Sequence, residues 1–377
     1  MELVKINFYK KYEIKIEFEE SLILDKAALY LDMEPIHITD HISSLSSGDK
    51  NDYYSNGDYW WPDPEKEDGL PYIRRDGETN PDNFDQHRLL LRKLRKMLVS
   101  LTAAYMISND DKYVEKAILI LKEFFLDQES KMNPHLLYAQ AIPGHCSGRG
   151  IGIIDTLHLI GIPLAIEILK ESSKMSQSIY NGLNQWFDTY LDWIVNHPYG
   201  QKEMNTKNNH SVCWHLQAAV FARFTKNQAV IDLCKKQFKE VLLPEQMALD
   251  GSFPSELSRT KPYGYSIFVL DNLLNLAYVL SSADDNLWQY QTDEGKSVKK
   301  GLEFLYPYLL DKNKWPHGSD VQHFEGWPVS IASLLFAAIN LNKPEYIELW
   351  NKLEKDPQDQ EIQRNISIKE PFLWISK

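Results

Sequence analysis

The chain reads as an all-α protein, an (α/α) toroid built as an incomplete barrel of antiparallel helical hairpins. Three observations predict this. Apolar residues recur at helical spacing in segment after segment from residue 85 onward, as in Leu89, Leu90, Leu91, Leu94, Met97, Leu98 and Leu101, whereas convincing strand character is confined to the chain ends. Consecutive helical segments are joined by short turns, which pack helices as antiparallel pairs. Longer polar loops at 35–85, 127–150, 198–210, 243–264 and 311–327 recur about once per helix pair, so a ring of hairpins would gather them on one rim. The 377 residues exceed one ordinary domain, but a helical ring reaches this size undivided. No linker or strict repeat is visible, and 1–377 is expected to be a single domain.

Residues 1–24 alternate enough to predict an extended lead-in, followed by a short helix at 25–31. The stretch 35–85 is rich in Gly, Pro, Asn and Asp and holds Ser47-Gly48-Asp49-Lys50, Tyr59-Trp60-Trp61-Pro62-Asp63-Pro64 and Leu70-Pro71-Tyr72-Ile73-Arg74-Arg75-Asp76-Gly77. A loop this long is either functional or disordered. Its Trp, Tyr and Arg content argues against disorder, so it is expected to be a lid or cleft wall. Helices are predicted at 85–107 and 112–126, with Asn109-Asp110-Asp111 as the capped turn between them. A polar loop follows, carrying Asn133-Pro134 through Pro143-Gly144 and then Gly148-Arg149-Gly150-Ile151-Gly152. The glycine spacing is not a dinucleotide loop, because no strand precedes it. Further helices are predicted at 154–170, 176–197, 211–224, 228–242, 265–281, 296–310, 328–341 and 344–353.

A net charge of −12 argues against nucleic acid as a partner, since phosphate binding needs a basic face. It leaves room for an acidic substrate in a locally basic cleft. Cys146, Cys213 and Cys234 lack metal-ligand or disulfide spacing and are expected to be buried free thiols. No apolar run approaches the roughly 18 residues of a membrane span, so no membrane partner is expected. The start, Met1-Glu2-Leu3-Val4-Lys5, has no apolar signal core, which suits a cytoplasmic protein or one whose leader has been removed. The histidines lack ligand spacing, and neither metal nor cofactor is expected.

Two polar clusters precede helical runs: Asn208-Asn209-His210-Ser211, and Ser258-Arg259-Thr260-Lys261-Pro262-Tyr263-Gly264-Tyr265-Ser266. If they converge, they suit a substrate that must lose a proton beside a carboxylate. Such a carbanion is unstable unless the carboxylate is neutralised, and Asn209 and Arg259 offer the donors. A base at C5 and an acid at the departing O4 are then needed. A phenol next to an arginine has its phenolate favoured, and His210 is the other candidate base or the phenol's activating partner. Each residue has a plainer reading: an N-cap for the Asn-Asn-His run, an ion pair with Glu256 or Asp271 for Arg259, and a buried core phenol for Tyr265.

Taken in order, Ser47-Gly48-Asp49, Tyr59 through Pro64, Asn133 through Gly144, Gly148 through Asp155, Asn208-Asn209-His210 and Ser258-Arg259-Thr260 with Tyr265-Ser266 resemble the alginate lyase superfamily over about 25–345. This is the helical-toroid group that includes mannuronate-specific alginate lyases and glucuronan lyases. The resemblance implies β-elimination of a uronate polymer, with Asn209, His210, Arg259 and Tyr265 as the catalytic group and an acidic polysaccharide or oligouronate as partner. In the best-known alginate lyases the tyrosine follows the arginine by seven positions. Here Ser266 stands there, so Tyr265 is the expected phenol and Tyr263 its competitor. Expected substrate contacts are Trp60, Trp61 and Tyr72 as stacking surfaces, Arg74 and Arg75 for neighbouring carboxylates, and His135, Tyr138, Gln140 and Arg149 in the cleft. Trp214 could wall the site and His317 could close the groove. Two alternatives compete: a glycoside hydrolase, for which Asp155, Glu256 and Asp320 are available, and a non-catalytic glycan-binding protein.

Overall fold

The computed structural model describes residues 3–9 and 13–376; residues 1, 2 and 10–12 of the expected lead-in lie outside the described residues. The lead-in is an antiparallel hairpin of β1 (Leu3–Tyr9) and β2 (Glu13–Glu19), with Ile6 opposite Ile16. In β2 the buried Ile14, Ile16 and Phe18 alternate with exposed Lys15 and Glu17, the period expected of a half-buried strand. Phe18 meets Trp350 and Phe372 edge-on, which ties the hairpin to the C-terminal end of the chain.

Helices follow in two layers. Those buried nearly all round are α2 (Gln86–Ser108), α4 (Gly161–Leu169), α7 (Asn209–Thr225), α11 (Pro262–Leu280) and α13 (Ala332–Leu341), each packed on the next. Outside them lie α3 (Asp111–Phe125) on α2, α5 (Gln177–Asn196) and α8 (Gln228–Gln237) on α7, α12 (Val298–Leu310) on α11, and α14 (Glu345–Lys352) on α13. A helix with one apolar face belongs in the outer layer and one apolar all round in the inner layer; α4, α11 and α13 follow this, whereas α2 is buried although it carries Arg88, Arg92, Arg95 and Lys96. The remaining helices are α1 (Glu20–Leu31), α6 (Pro198–Met204), α9 (Leu243–Gln246), α10 (Pro254–Leu257), α15 (Gln360–Arg364) and α16 (Pro371–Ile375). The arrangement is the all-α toroid that the periodicity predicts.

The departures from expectation have local causes. The stretch 35–85 is not strandless: β3 (Tyr54–Asn56) pairs with β6 (Tyr138–Ala141), and β4 (Trp60–Trp61) with β5 (Ile73–Arg74). Strands this short leave no visible alternation. The helix expected at 154–170 begins as a 3-10 segment, Gly150–Ile160, and becomes α-helical only at Gly161. This Gly150–Leu169 run, at a mean hydropathy of 1.7, is long and apolar enough for a membrane span, contrary to expectation; most of it is buried in the core. The helix expected at 228–242 passes through a π-turn at Phe238–Leu242 just before Pro244. A proline ring clashes with the carbonyl four residues back, and widening the turn relieves it. Residues 328–331 are extended, with Val329 bridged to Glu354, so the helix expected from 328 starts at Ala332. The loop expected at 198–210 contains α6, capped by the His197 side chain.

Cationic side chains of α2 fasten the C-terminal segment across the ring. Arg92 Nη1 donates to the Gln360 carbonyl (2.7 Å), Arg95 Nη1 to those of Ile366 (2.5 Å) and Ser367 (3.0 Å), and Lys96 Nζ to Gln363 Oε1 (2.6 Å). Ser367 Oγ in turn donates to the buried Asp271 of α11 (3.3 Å). Burial raises the Asp271 carboxyl to about 6 against the pull of its hydrogen-bond donors, chiefly Ser333 and Ser367. A raised acid favours folding while protonated and loses that contribution as pH rises through its folded value. Stability measured by denaturant titration is therefore expected to fall between about pH 4 and pH 7 in the native chain through this carboxyl, and to be level in that respect above it. Asp271→Asn should flatten this dependence and be the more stable protein at pH 8, by on the order of 1–3 kcal/mol. An unchanged slope would remove Asp271 as its source.

Candidate active site

The N-termini of α7 and α11 open on one cavity of about 300 Å³. Asn208 is the N-cap of α7, its Oδ1 accepting from the His210 N–H (3.2 Å), so Asn209 and His210 sit in the first turn. The N-terminus of α11 is capped from outside: Asp320 accepts from the N–H groups of Tyr263 and Gly264, both at 2.8 Å. This cap requires a glycine, because a Cβ at 264 would meet Asp320 Oδ2 and Trp327 Nε1, each at 2.9 Å. Tyr263 and Tyr265 are two residues apart, about 200° around the helix, and point opposite ways. Tyr263 is fully buried, donates to the Tyr308 carbonyl (2.8 Å) and packs on Trp315. Tyr265 faces the cavity. The competing phenol is thus a core residue.

Asn209, His210 and Arg259 each have a carboxylate behind them. Glu256, on α10, accepts from both the backbone N–H (2.7 Å) and the Nδ2 (2.8 Å) of Asn209. Burial raises the Glu256 carboxyl despite those bonds and the nearby Arg259 and His210. Glu203, buried on α6, sits 2.6 Å from His210 Nδ1. A ring that donates from Nδ1 to Glu203 keeps Nε2 as the nitrogen that faces the cavity as acceptor. Arg259 is held by Asp76 of the 35–85 loop, Nε to Oδ2 at 3.0 Å and Nη2 to Oδ1 at 2.9 Å, rather than by the expected Glu256 or Asp271. Burial pushes the Asp76 carboxyl up, but the Arg259 bond and charge, with Arg74, outweigh it and bring it down to about 2.

Tyr265 Oη lies 2.8 Å from Tyr59 Oη and 3.3 Å from Arg259 Nη2, with the guanidinium 4.4 Å over its ring. Burial drives the phenol well above its ordinary value and Tyr59 adds to this; Arg259 and Arg364 pull it down by less. The expectation that Arg259 would favour a resting phenolate is therefore reversed, because desolvation outweighs one partly engaged guanidinium. Behind Tyr59, Asp58 is clamped between Arg88 and Arg364, the latter at 2.6 Å, and Arg364 Nη2 reaches Tyr59 Oη at 3.2 Å.

The carboxylates available to a hydrolase are all engaged. Asp155 accepts from Ser55 (2.7 Å), Tyr53 (3.0 Å) and Gln140 (3.1 Å), Glu256 from Asn209, and Asp320 from the α11 cap.

Of the sequence-predicted residues, Asn209, His210, Arg259, Tyr265, Trp60, Arg74, Gln140 and Arg149 line this cavity. Gln140, with φ of 49°, is a hub: its carbonyl and Oε1 both accept from Arg149, whose guanidinium lies 5.8 Å from the centre of the Trp60 ring. The others stand elsewhere. Trp61 and Trp60 are successive strand residues and face opposite ways; Trp61 donates to the Glu78 carbonyl and lies under Arg75, outside the cavity. Tyr72 is fixed by backbone bonds to Pro143 and His145. His135 pairs with Asp52 and packs on Trp193, and Tyr138 sits in β6 beside Tyr54. Trp214, one turn past His210, is fully buried and donates to the Ile194 carbonyl (3.2 Å), so it is core rather than wall. His317 is exposed beside Trp315 and does not close the groove. The residues that sequence missed are Glu203, Asp76, Tyr59, Asp58 and Arg364. Asp76 and Tyr59 lie within quoted motifs and Asp58 adjoins one, whereas Arg364 lies 306 residues from its partner Asp58 and carries no signal.

Residues 38–315 match the family model described as alginate lyase. The structure resembles an alginate lyase from Bacteroides ovatus, 32% identical over 94% of this chain and 92% of that one, with a TM-score of 0.82. It also resembles alginate lyase A1-III from Sphingomonas species A1 (13% identical, 86% of each chain, TM-score 0.52) and a variant of A1-III complexed with a tetrasaccharide (12% identical, 84% of this chain and 83% of that one, TM-score 0.54). At these lower identities the likeness is one of fold. No curated protein matches the chain significantly.

The Asp76–Arg259 pair is the ionic link between the 35–85 loop and the α10–α11 segment. Asp76→Ala is expected to raise amide hydrogen exchange across 72–80 at least tenfold and leave α7 and α11 unchanged. Unaltered protection at 72–80 would mean that the loop is held by its other contacts.

Proposed function

The chain belongs to the alginate lyase family and is a polysaccharide lyase, and from that premise we propose that it cleaves a 4-linked β-uronate polymer by β-elimination through Asn209, His210, Arg259 and Tyr265. The observation that carries this is the convergence of these four side chains on one cavity, with Tyr265 Oη within 3.3 Å of Arg259 and His210 oriented by Glu203 at 2.6 Å. The relative that shares 32% identity is named an alginate lyase, which favours a mannuronate-containing polymer; glucuronan meets the same chemistry and is the second candidate.

In the proposed reaction the substrate carboxylate accepts from the second N–H of Asn209 Nδ2 and lies near Arg259, so charge that develops on its oxygens meets donors already in place. His210 Nε2 takes the C5 proton. The C4–O4 bond breaks, a C4=C5 double bond forms, and the departing O4 takes the Tyr265 proton. A neutral phenol is the right resting state for that donor, and Arg259 and Tyr59 are at hand for the phenolate it leaves. In β-mannuronate and β-glucuronate H5 and O4 lie on the same side of the ring bond, so both proton transfers come from one face of the sugar. A hydrolase would need two opposed carboxylates free to act, and Asp155, Glu256 and Asp320 are committed elsewhere.

Ultraviolet absorbance of a 4,5-unsaturated uronate should therefore appear when mannuronan or glucuronan is supplied. Tyr265→Phe is expected to lower kcat by about 10²–10⁴-fold, the usual contribution of a positioned proton donor. Reducing ends without absorbance, or full activity in Tyr265→Phe, would refute the assignment. Glu203→Ala is expected to lower kcat by about 10–100-fold with KM little changed, as when a histidine loses its orienting carboxylate. Glu203→Gln, whose carbonyl still accepts from Nδ1–H, should restore much of the loss; equal losses in both variants would point to a role other than orientation.

A further inference from the structure

A second cavity, of about 550 Å³, lies beside the first, and Asp58, Arg88 and Arg364 line both. Its distinctive member is Arg92. The three carboxylates nearest the two shared arginines are already used: Arg88 contacts Asp58 and Asp155, and Arg364 pairs with Asp58 and Glu361. Glu361 also holds Lys261, and Asp359 is taken by His323. Arg92 is only 7% exposed, and among the described residues it makes no ion pair. Its one hydrogen bond is from Nη1 to the Gln360 carbonyl, and its Nε is buried with no partner. Burial, with Arg364 and Arg88 beside it, lowers its guanidinium to about 10, against the weaker opposite pull of Asp85 and Asp58, neither of which is paired with it. A buried cation short of counter-charge is costly, and a carboxylate reaching its remaining nitrogen, Nη2, relieves it.

The rest of the lining fits a sugar rather than a bare ion. Asn83, Gln322 and Asp85 line it with amides and a carboxylate, groups that can bond hydroxyls, and Thr79 Oγ1 is buried there with no partner. We propose that this cavity is a distal subsite for the same acidic chain, in which Arg92 receives the carboxylate of a uronate unit removed from the point of cleavage. The proposal rests on the uronate-lyase reading of the first cavity; the shared Asp58, Arg88 and Arg364 make the two cavities adjacent.

The test uses Arg92→Gln and, because that residue is buried, a second variant on the exposed Gln360, which lines the cavity mouth. Gln360→Glu brings a carboxylate to Arg92 in place of the ligand's. On long mannuronan or glucuronan both variants are expected to raise KM by roughly tenfold, about the worth of one charge-assisted hydrogen bond, with kcat unchanged. On a uronate disaccharide or trisaccharide too short to bridge the cavities, neither should differ from the native chain. Calorimetric titration of native chain and Gln360→Glu with long oligouronates reads binding without turnover. Weaker binding by Gln360→Glu supports the subsite; equal binding, no binding by the native chain, or an unchanged KM in Gln360→Glu overturns it. Failure of the lyase reading is distinguishable, because it removes the absorbance signal from the native chain at every length.

Discussion

The site depends on a buried carboxylate, Asp58, held between two arginines from distant parts of the chain. Arg88 comes from α2 and Arg364 from α15, 306 residues beyond Asp58. Burial disfavours the charged carboxylate, but the two guanidiniums outweigh it, and the group stays ionised. Removing charges from water in this way adds little net stability, since desolvation offsets most of the attraction. What it adds is position. A lone arginine or aspartate in that place would be an uncompensated buried charge, so the 35–85 loop, α2 and the C-terminal segment are stable only in register with one another. Tyr59 follows Asp58 in sequence, and its hydroxyl therefore lands between Arg364 and Tyr265.

The same logic repeats one layer in. Glu256, Glu203 and Asp320 each answer a local demand: an exposed N–H at the start of α7, a histidine ring nitrogen, the free N–H groups at the start of α11. Helix N-termini carry donors that the helix cannot satisfy, so burying two of them at one cavity obliges the fold to bring acids there. Those acids are fixed acceptors. The donors and proton carriers that remain free to act are an amide, an imidazole and a phenol, which is the equipment of an elimination rather than of a double-carboxylate hydrolysis.

Much of this was legible in the sequence. Periodicity gave the helices and their pairing because inner and outer helices differ in how much of their circumference is apolar. Asn209, His210, Arg259 and Tyr265 were legible because each stands just before or within the first turn of a strongly apolar helix. The failures share a cause. Trp61, Arg75, Trp214 and Tyr263 are of the right type and near the right place, but which way a side chain points depends on strands two residues long and on a helix start displaced by three positions. The helix expected from 265 begins at Pro262, and only that start sends Tyr263 inward. Glu203 and Arg364 were missed because α6 and α15 are short helices with no apolar stripe to announce them.

The Asp76–Arg259 pair bears on how the proposed chemistry is driven. Two of Arg259's donor nitrogens are bonded to Asp76, and one of these also reaches Tyr265 Oη at 3.3 Å. In the resting site the guanidinium's charge is largely answered, and its pull on the phenol is smaller than the push from burial. Once Tyr265 gives up its proton, the new phenolate lies within reach of that guanidinium and of the Tyr59 hydroxyl, and neither has to move. An interaction that is weak before proton transfer and strong after it lowers the barrier instead of merely tightening binding. In the proposed reaction Asp76, by holding Arg259 in place while tempering its charge, serves that difference, and the 35–85 loop that carries it contributes to the site as well as bordering it.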